Sequence, residues 1–178
     1  MTGLNIQVSN ARVAEAKRLM SVAELESISL IHVRAGHMTA EGNPVKSIEP
    51  KERPSASAIV IASQHRFRVV VAHGLVGRGP QNAQEIQIDA SFDLVYRYPE
   101  DIDPPTEVEL QAFAETNALL NCWPYWRALV QDMVARMGLP PMVLPLFRLL
   151  PVGEKKEEKK EAVGASEAQA ANKQEVPK

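Results

Sequence analysis

The chain reads as an α+β fold: an antiparallel sheet comes first, and a long kinked helix is laid across it. Three observations predict this. Ile86, Ile88, Ala90, Phe92, Leu94, Tyr96 and Tyr98 alternate with Glu85, Gln87, Asp89, Ser91, Asp93, Val95 and Arg97, a period of two that gives one long strand with a dry face and a wet face. An amphipathic stretch then runs from Thr106 to Met137 and stops at Gly138, Pro140 and Pro141. The two lengths also match. A strand rising about 3.3 Å per residue spans over ~40 Å here, and a helix rising about 1.5 Å per residue crosses that distance in nearly 30 residues.

In chain order, Ala11 to Ala23 is expected as a helix. Ser9 and Asn10 offer caps, and Val13, Ala16, Leu19, Met20 and Ala23 form a modest stripe. Ile28, Leu30, His32 and Arg34 alternate with Ser29, Ile31, Val33 and Ala35, a strand that is apolar on much of both faces. Gly36 and then Gly42-Asn43-Pro44 punctuate it, and Val45 to Ile48 is read as a short return strand. Ala58 to Ala72 is rich in β-branched residues, with Phe67, Val69 and Val71 opposed to Arg66, Arg68 and Val70. Gly74, Gly77, Gly79 and Pro80 are expected to form the turn into the long strand.

The long helix has a legible start. Thr106 behind Pro104 and Pro105, with Glu109 three residues later, is a capping box. Leu110, Phe113, Asn117 and Leu120 continue as a stripe into Cys122 and Trp123. Pro124 removes one backbone donor and is expected to kink the helix, because the stripe resumes at Trp126, Val130, Met133 and Met137. Gly138 ends it and the two prolines prevent its resumption. The next segment, Met142-Val143-Leu144 and Leu146-Phe147, is unusually apolar for a loop. It is read either as a final strand or covering arm, or as one wall of an apolar groove, since Met and aromatic surfaces repack around many partners.

Length and composition bound the rest. The 178 residues suit one domain, 1–152, followed by a charged low-complexity tail, 153–178, whose Lys and Glu have no apolar face to dock and which is expected to be disordered. A hydrophobic content of 45% supports a real core, and a net charge of −2 leaves no basic footprint for nucleic acid. No apolar run reaches the ~18–20 residues of a membrane span, and the N-terminus lacks a signal-peptide pattern, so a cytoplasmic location is expected. One cysteine, Cys122, makes neither an internal disulfide nor a cysteine-based zinc site.

Catalytic chemistry is hard to find. His32, His37, His65 and His73 show no metal-ligand spacing. The glycines after His73 imitate a phosphate loop without the helix and Lys-Ser/Thr that such a loop requires. Glu100, Asp101 and Asp103 sit among prolines and read as a solvated loop, Asp132 as an exposed helix position, and Cys122 as a small core residue. No nucleophile, base and stabiliser come together. No enzyme and no cofactor is therefore expected. The exception to these bland readings is Trp123, Tyr125 and Trp126, three aromatic residues within four positions, which suit a core or a subunit interface.

The segment from Trp123 to Leu144 resembles the main helix and adjoining loop of SecB-type chaperones. The residues that carry the likeness are Trp123, Pro124, Tyr125, Arg127, Met133, Val134, Arg136, Leu139, Pro140, Met142 and Leu144. The upstream run from Asp103 to Leu120 is more similar to the SecB-like chaperones attached to toxin–antitoxin systems. The resemblance implies a four-stranded antiparallel sheet and a homotetramer, a dimer of dimers with the long helices between two sheets. It also implies an ATP-independent holdase that binds unfolded polypeptides such as preproteins or a labile antitoxin, with a translocase motor as a further partner. It would set a client groove between Ile28, Leu30, Ile31 and Val33 on one side and Met142, Leu144, Leu146 and Phe147 on the other. The oligomer interface would fall to Trp123, Tyr125, Trp126, Val130, Met133 and Met137. Export chaperones of this type carry a second helix after the loop, which this sequence lacks. The competing reading is a hot-dog-type thioesterase or hydrophobic-ligand binder, in which the helix comes early in the chain. A third is a plain subunit of an assembly that buries Met142 to Phe147 permanently.

Overall fold

The computed structural model of the chain describes residues 4–38, 44–51, 54–61 and 64–152; the tail from residue 153 and the Gly42-Asn43 turn lie outside the described residues. The elements are β1 (Leu4–Ser9), α1 (Asn10–Val22), β2 (Glu24–His37), β3 (Ser47–Pro50), β4 (Ser55–Ile61), β5 (Arg66–Arg78), β6 (Gln84–Arg97), α2 (Glu107–Phe113), a π-helical turn (Ala114–Ala118), α3 (Leu119–Arg136) and β7 (Phe147–Val152). The main sheet is antiparallel in the order β2-β6-β5-β3, and β4 also pairs with β5. Because β3 pairs with Leu75 to Arg78 and β4 with Arg66 to Ala72, the two short strands share one edge of β5. The sheet is therefore four strands wide, as expected.

The dry face of β6 is realised without a break, while Glu85 and Asp93 of the expected wet face are buried as well. Ile86, Ile88, Ala90, Phe92, Leu94, Tyr96 and Tyr98 are all buried, and they meet Phe67, Val69, Val71 and Leu75 of β5 on the same face. Phe67 stacks on Tyr96 at 5.1 Å, and Phe113 of α2 stands edge-on to both. Burial at this density excludes water from the Tyr96 hydroxyl and raises its pKa, partly countered by the hydrogen bond from Asn121 Nδ2 at 3.1 Å.

The helix begins on the expected capping box. Glu109 N donates to Thr106 Oγ1 at 3.3 Å, and Thr106 N donates to Glu109 Oε2 at 2.9 Å. Glu109 also receives Arg18 of α1, with Nε–Oε1 at 2.5 Å and Nη2–Oε2 at 2.7 Å, so α1 is clamped to α2. That bidentate bond, reinforced by Thr106, holds the Glu109 carboxyl down to about 2. The helical run then continues from Glu107 to Arg136. Its irregularity is the π turn at Ala114–Ala118, and Pro124 lies inside α3 without ending it. A π turn adds one residue to the repeat, so the buried stripe slips. Leu110 and Phe113 are followed by Ala114, Ala118, Leu119, Cys122 and Trp123, while Leu120, expected on the stripe, is 37% exposed.

Three other elements depart from the sequence reading. The run from Ala58 to Ala72 is divided into the β4–β5 hairpin. β5 continues through Gly74 and Gly77, and the turn into β6 is made at Pro80–Asn82. Gly77 is in a strand because nothing larger fits: a Cβ there would fall on Ile86 Cγ1 and lie 2.9 Å from Val45 Cγ1. Finally, β1 and β7 form a separate two-stranded parallel ribbon that joins the two ends of the domain.

Candidate functional site

β2 is an edge strand, bonded to β6 along one side. Its register shifts between Leu25 and Ser27 and again between Leu30 and His32. Each shift inserts one extra residue, so the side-chain parity changes at Glu26 and Ile31. The consequence is that Leu25, Ile28, Leu30, Val33 and Ala35 stand opposite Tyr96, Leu94, Phe92, Ala90 and Ile88, and directly opposed residues share a face. Five residues of the edge strand thus continue the core face of the sheet.

That continuation is uncovered. The helices pack chiefly over β4, β5 and β6, and β2 lies at the margin of their footprint. Leu25 is 40% exposed, Leu30 45% and Val33 43%, and Ile31 at the bulge is 53% exposed; Ile28 is half-buried. The far end of the strand approaches the end of α3, where the His37 ring nitrogen is 3.4 Å from Met137 O. Leu129, Met133 and Met137 are half-buried and pack against the core. An edge strand with a dry face and no cover is a site for added chain rather than for chemistry.

The arm after α3 starts at a helix stop made by Gly138 at φ +71. Gly138 N bonds Ala135 O at 3.0 Å and Leu139 N bonds Val134 O at 3.2 Å, which satisfies the last carbonyls. The arm then alternates. Met142 and Leu144 point into the core, and so does Phe147 at the start of β7, while Val143 is 57% and Leu146 62% exposed. Trp123 holds it: Nε1 donates to Pro145 O at 3.2 Å, and the indole lies 5.1 Å from the Phe147 ring. Behind them, His73 of β5 stacks on Trp126 at 5.3 Å and meets Trp123 edge-on at 5.7 Å. Enclosure by these rings strips water from the imidazole and holds its pKa down to about 4, with Nε2 left without a partner.

Ile28, Leu30, Ile31 and Val33 are accessible. Met142, Leu144 and Phe147 are used inside the chain's own core, because Trp123 anchors the arm above β5, and β6 separates β5 from β2. Of the expected interface residues, Trp123, Trp126 and Val130 are buried in the same core, Met133 and Met137 are half-buried, and Tyr125 is 49% exposed. Leu25 belongs to the exposed apolar surface and escapes sequence reading because the bulge breaks the period, whereas Val143 is exposed within the arm already singled out. Among the described residues no group of three or more His, Cys, Asp or Glu is placed to hold a metal, and no helix is long and apolar enough to cross a membrane.

No protein-family model matches the chain. The chain is 39% identical over 162 residues to the SecB-like chaperone Rv1957 of Mycobacterium tuberculosis H37Rv, an alignment covering 84% of this chain and 88% of the relative. It is 27% identical, with the same coverage, to the SecB-like chaperone MT2006 of Mycobacterium tuberculosis CDC 1551. The solved structure of Mycobacterium tuberculosis Rv1957, in complex with a ChAD peptide from the Rv1956 HigA1 antitoxin, superposes with a TM-score of 0.67 at 25% identity, covering 78% of this chain and 99% of that one. The chain thus has a relative in both sequence and fold, and it belongs to the SecB-like chaperones.

Proposed function

We propose that this chain is a non-enzymatic, ATP-independent holdase that acts in the cytoplasm and binds unfolded polypeptide on the uncovered core-side face of β2. The observation that carries this reading is the pair of bulges that keeps Leu25, Ile28, Leu30 and Val33 on the core side of an edge strand, with Leu25, Leu30 and Val33 exposed and Ile28 half-buried. An extended client laid there gains apolar burial, and the open edge offers backbone pairing. Covering four half-exposed aliphatic side chains contributes about 1 kcal/mol each, on the usual 1.5–3 kcal/mol for full burial. The cost of ordering the client offsets part of that gain. Affinity per chain is accordingly modest, and several chains acting on one client raise it by avidity.

A homotetramer supplies those chains. The outward side of α3, where Leu120, Tyr125, Ala128 and Ala135 are exposed, is the surface left for packing helix against helix between two sheets. A labile antitoxin segment is the favoured client class, supported by the antitoxin peptide in the complex of the relative. The test is light scattering of an unfolding model client without nucleotide. Suppression near one tetramer per client is expected. Unchanged aggregation, or hydrolysis of an acyl thioester by the same preparation, would sink the holdase reading.

A further inference from the structure

The least self-sufficient part of the fold is the β1–β7 ribbon. It is parallel, two strands wide, and pairs Leu4–Ser9 with Phe147–Val152 over their full length. Parallel pairs are weaker per residue than antiparallel ones and ordinarily occur in larger sheets covered on both sides. Two-stranded pieces are marginal by themselves. β1 nevertheless sits in a defined slot: Val8 is 6% exposed and joins the core.

β1 is also separable from α1. The helix has its own anchors, with Ala16 and Leu19 buried and Arg18 bonded to Glu109 and to Asp103 O. The start of α1 is capped locally, by Ser9 Oγ accepting from Arg12 N at 3.2 Å. The chain can therefore release β1 at Ser9 and keep α1 docked. The slot adjoins the exposed apolar arm, since β7 begins at Phe147, directly after Leu146. In sequence β1 is itself client-like, an extended segment with Leu4, Ile6 and Val8 at alternate positions.

We propose that the edge of β7 is a second strand-binding site, filled in the resting chain by β1 and opened when an extended client segment, apolar at alternate positions, takes the place of β1. Val143 and Leu146 would meet the flanking part of that client. This rests on the holdase reading but concerns a different surface from β2.

The register supplies the test. Gln7 pairs with Leu150, and both are exposed, at a Cα spacing that neighbouring strands bring within disulfide reach. In the full chain carrying Gln7→Cys and Leu150→Cys, oxidation should lock β1 in place; the natural Cys122 is buried and does not compete. The probe is a reduced, carboxymethylated and fluorescently labelled unfolded protein. Its Kd should weaken about tenfold or more on oxidation and recover on reduction. Val8→Asp, which loosens β1, should tighten binding. Equal affinity in the oxidised and reduced forms, or weaker binding by Val8→Asp in a folded chain, overturns the displacement of β1. Failure of the unmodified protein to bind the probe refutes the holdase reading as well.

Discussion

His73 is the most sensitive internal probe of the packing that holds the arm. It is 5% exposed, lies between Trp126 and Trp123, and has no partner for Nε2. Desolvation lowers its pKa from 6.5 to about 4. In the unfolded chain the same side chain takes up a proton near pH 6.5. Between those values the unfolded state binds more protons than the folded state, so stability falls as pH falls. The full effect is about 3 kcal/mol, at 1.36 kcal/mol for each pH unit of difference, present above pH 6.5 and exhausted below pH 4. The perturbation is His73→Phe, which keeps a planar ring between the indoles and removes the titration. Urea midpoints measured from pH 8 to pH 4 should decline in the natural chain and stay nearly level in the variant down to pH 4.5. Below that, Glu109 takes up a proton in the unfolded chain while the folded protein keeps it ionised down to about 2, and both chains progressively lose the stability that its depressed pKa provides. At pH 8 the variant should be equal or more stable, because an unsatisfied buried nitrogen has been removed. Parallel pH profiles for the two chains would show that His73 is not buried neutral in the folded protein.

Three further outcomes rest on the packing. Thr106→Ala removes the hydroxyl that accepts from Glu109 N, while the backbone N–H of residue 106 can still donate to Glu109, and should lower stability by about 1 kcal/mol, read as a shift in the urea midpoint with unchanged slope. Gly77→Ala places a methyl group on Ile86 and Val45 and should cost about 1–3 kcal/mol by overpacking; a neutral result would mean that β5 and β6 are not in this register. Cys122 is fully buried, and loss of solvation pushes its thiol pKa up to about 12. Alkylation by a small reagent at pH 8 should therefore be slow in the native protein and fast in urea, whereas rapid native labelling would contradict the placement of α3.

Local chemistry made much of the fold legible in the sequence. The period of two in β6, the Thr106–Glu109 box, Gly138 before two prolines, and the match in length between strand and helix each act over a few residues, and each is found as read. Features that depend on distant parts of the chain were hidden. The pairing of β1 with β7 joins the two ends of the domain, and neither hexamer carries a signal for the other. The π turn moves the stripe by one position, so Leu120 appears apolar-in when read with a constant period. The internal partners of the Trp123–Trp126 cluster, His73 and Phe147, come from β5 and β7 and carry no local signal.

For the candidate site the same limit is sharper. β2 reads as apolar on both faces because simple alternation places Leu30 and Val33 on opposite sides. The bulge at Ile31 returns both to one side. An edge strand is free to carry such irregularities because it is bonded on one side only. Exposure of that face is a property of where the helices stop, which no residue of β2 encodes.

The measurement that bears most directly on function is the affinity of a folded Leu30→Ser, Val33→Ser double variant for an unfolded client. Both side chains are nearly half exposed, so the thermal midpoint and oligomeric mass should match the natural chain, with surface changes worth within about 0.5 kcal/mol each. Client binding should weaken by about tenfold or more, from roughly 1 kcal/mol of apolar burial lost at each position. Unchanged client affinity in a properly assembled double variant would contradict the assignment of β2 as the client-binding face.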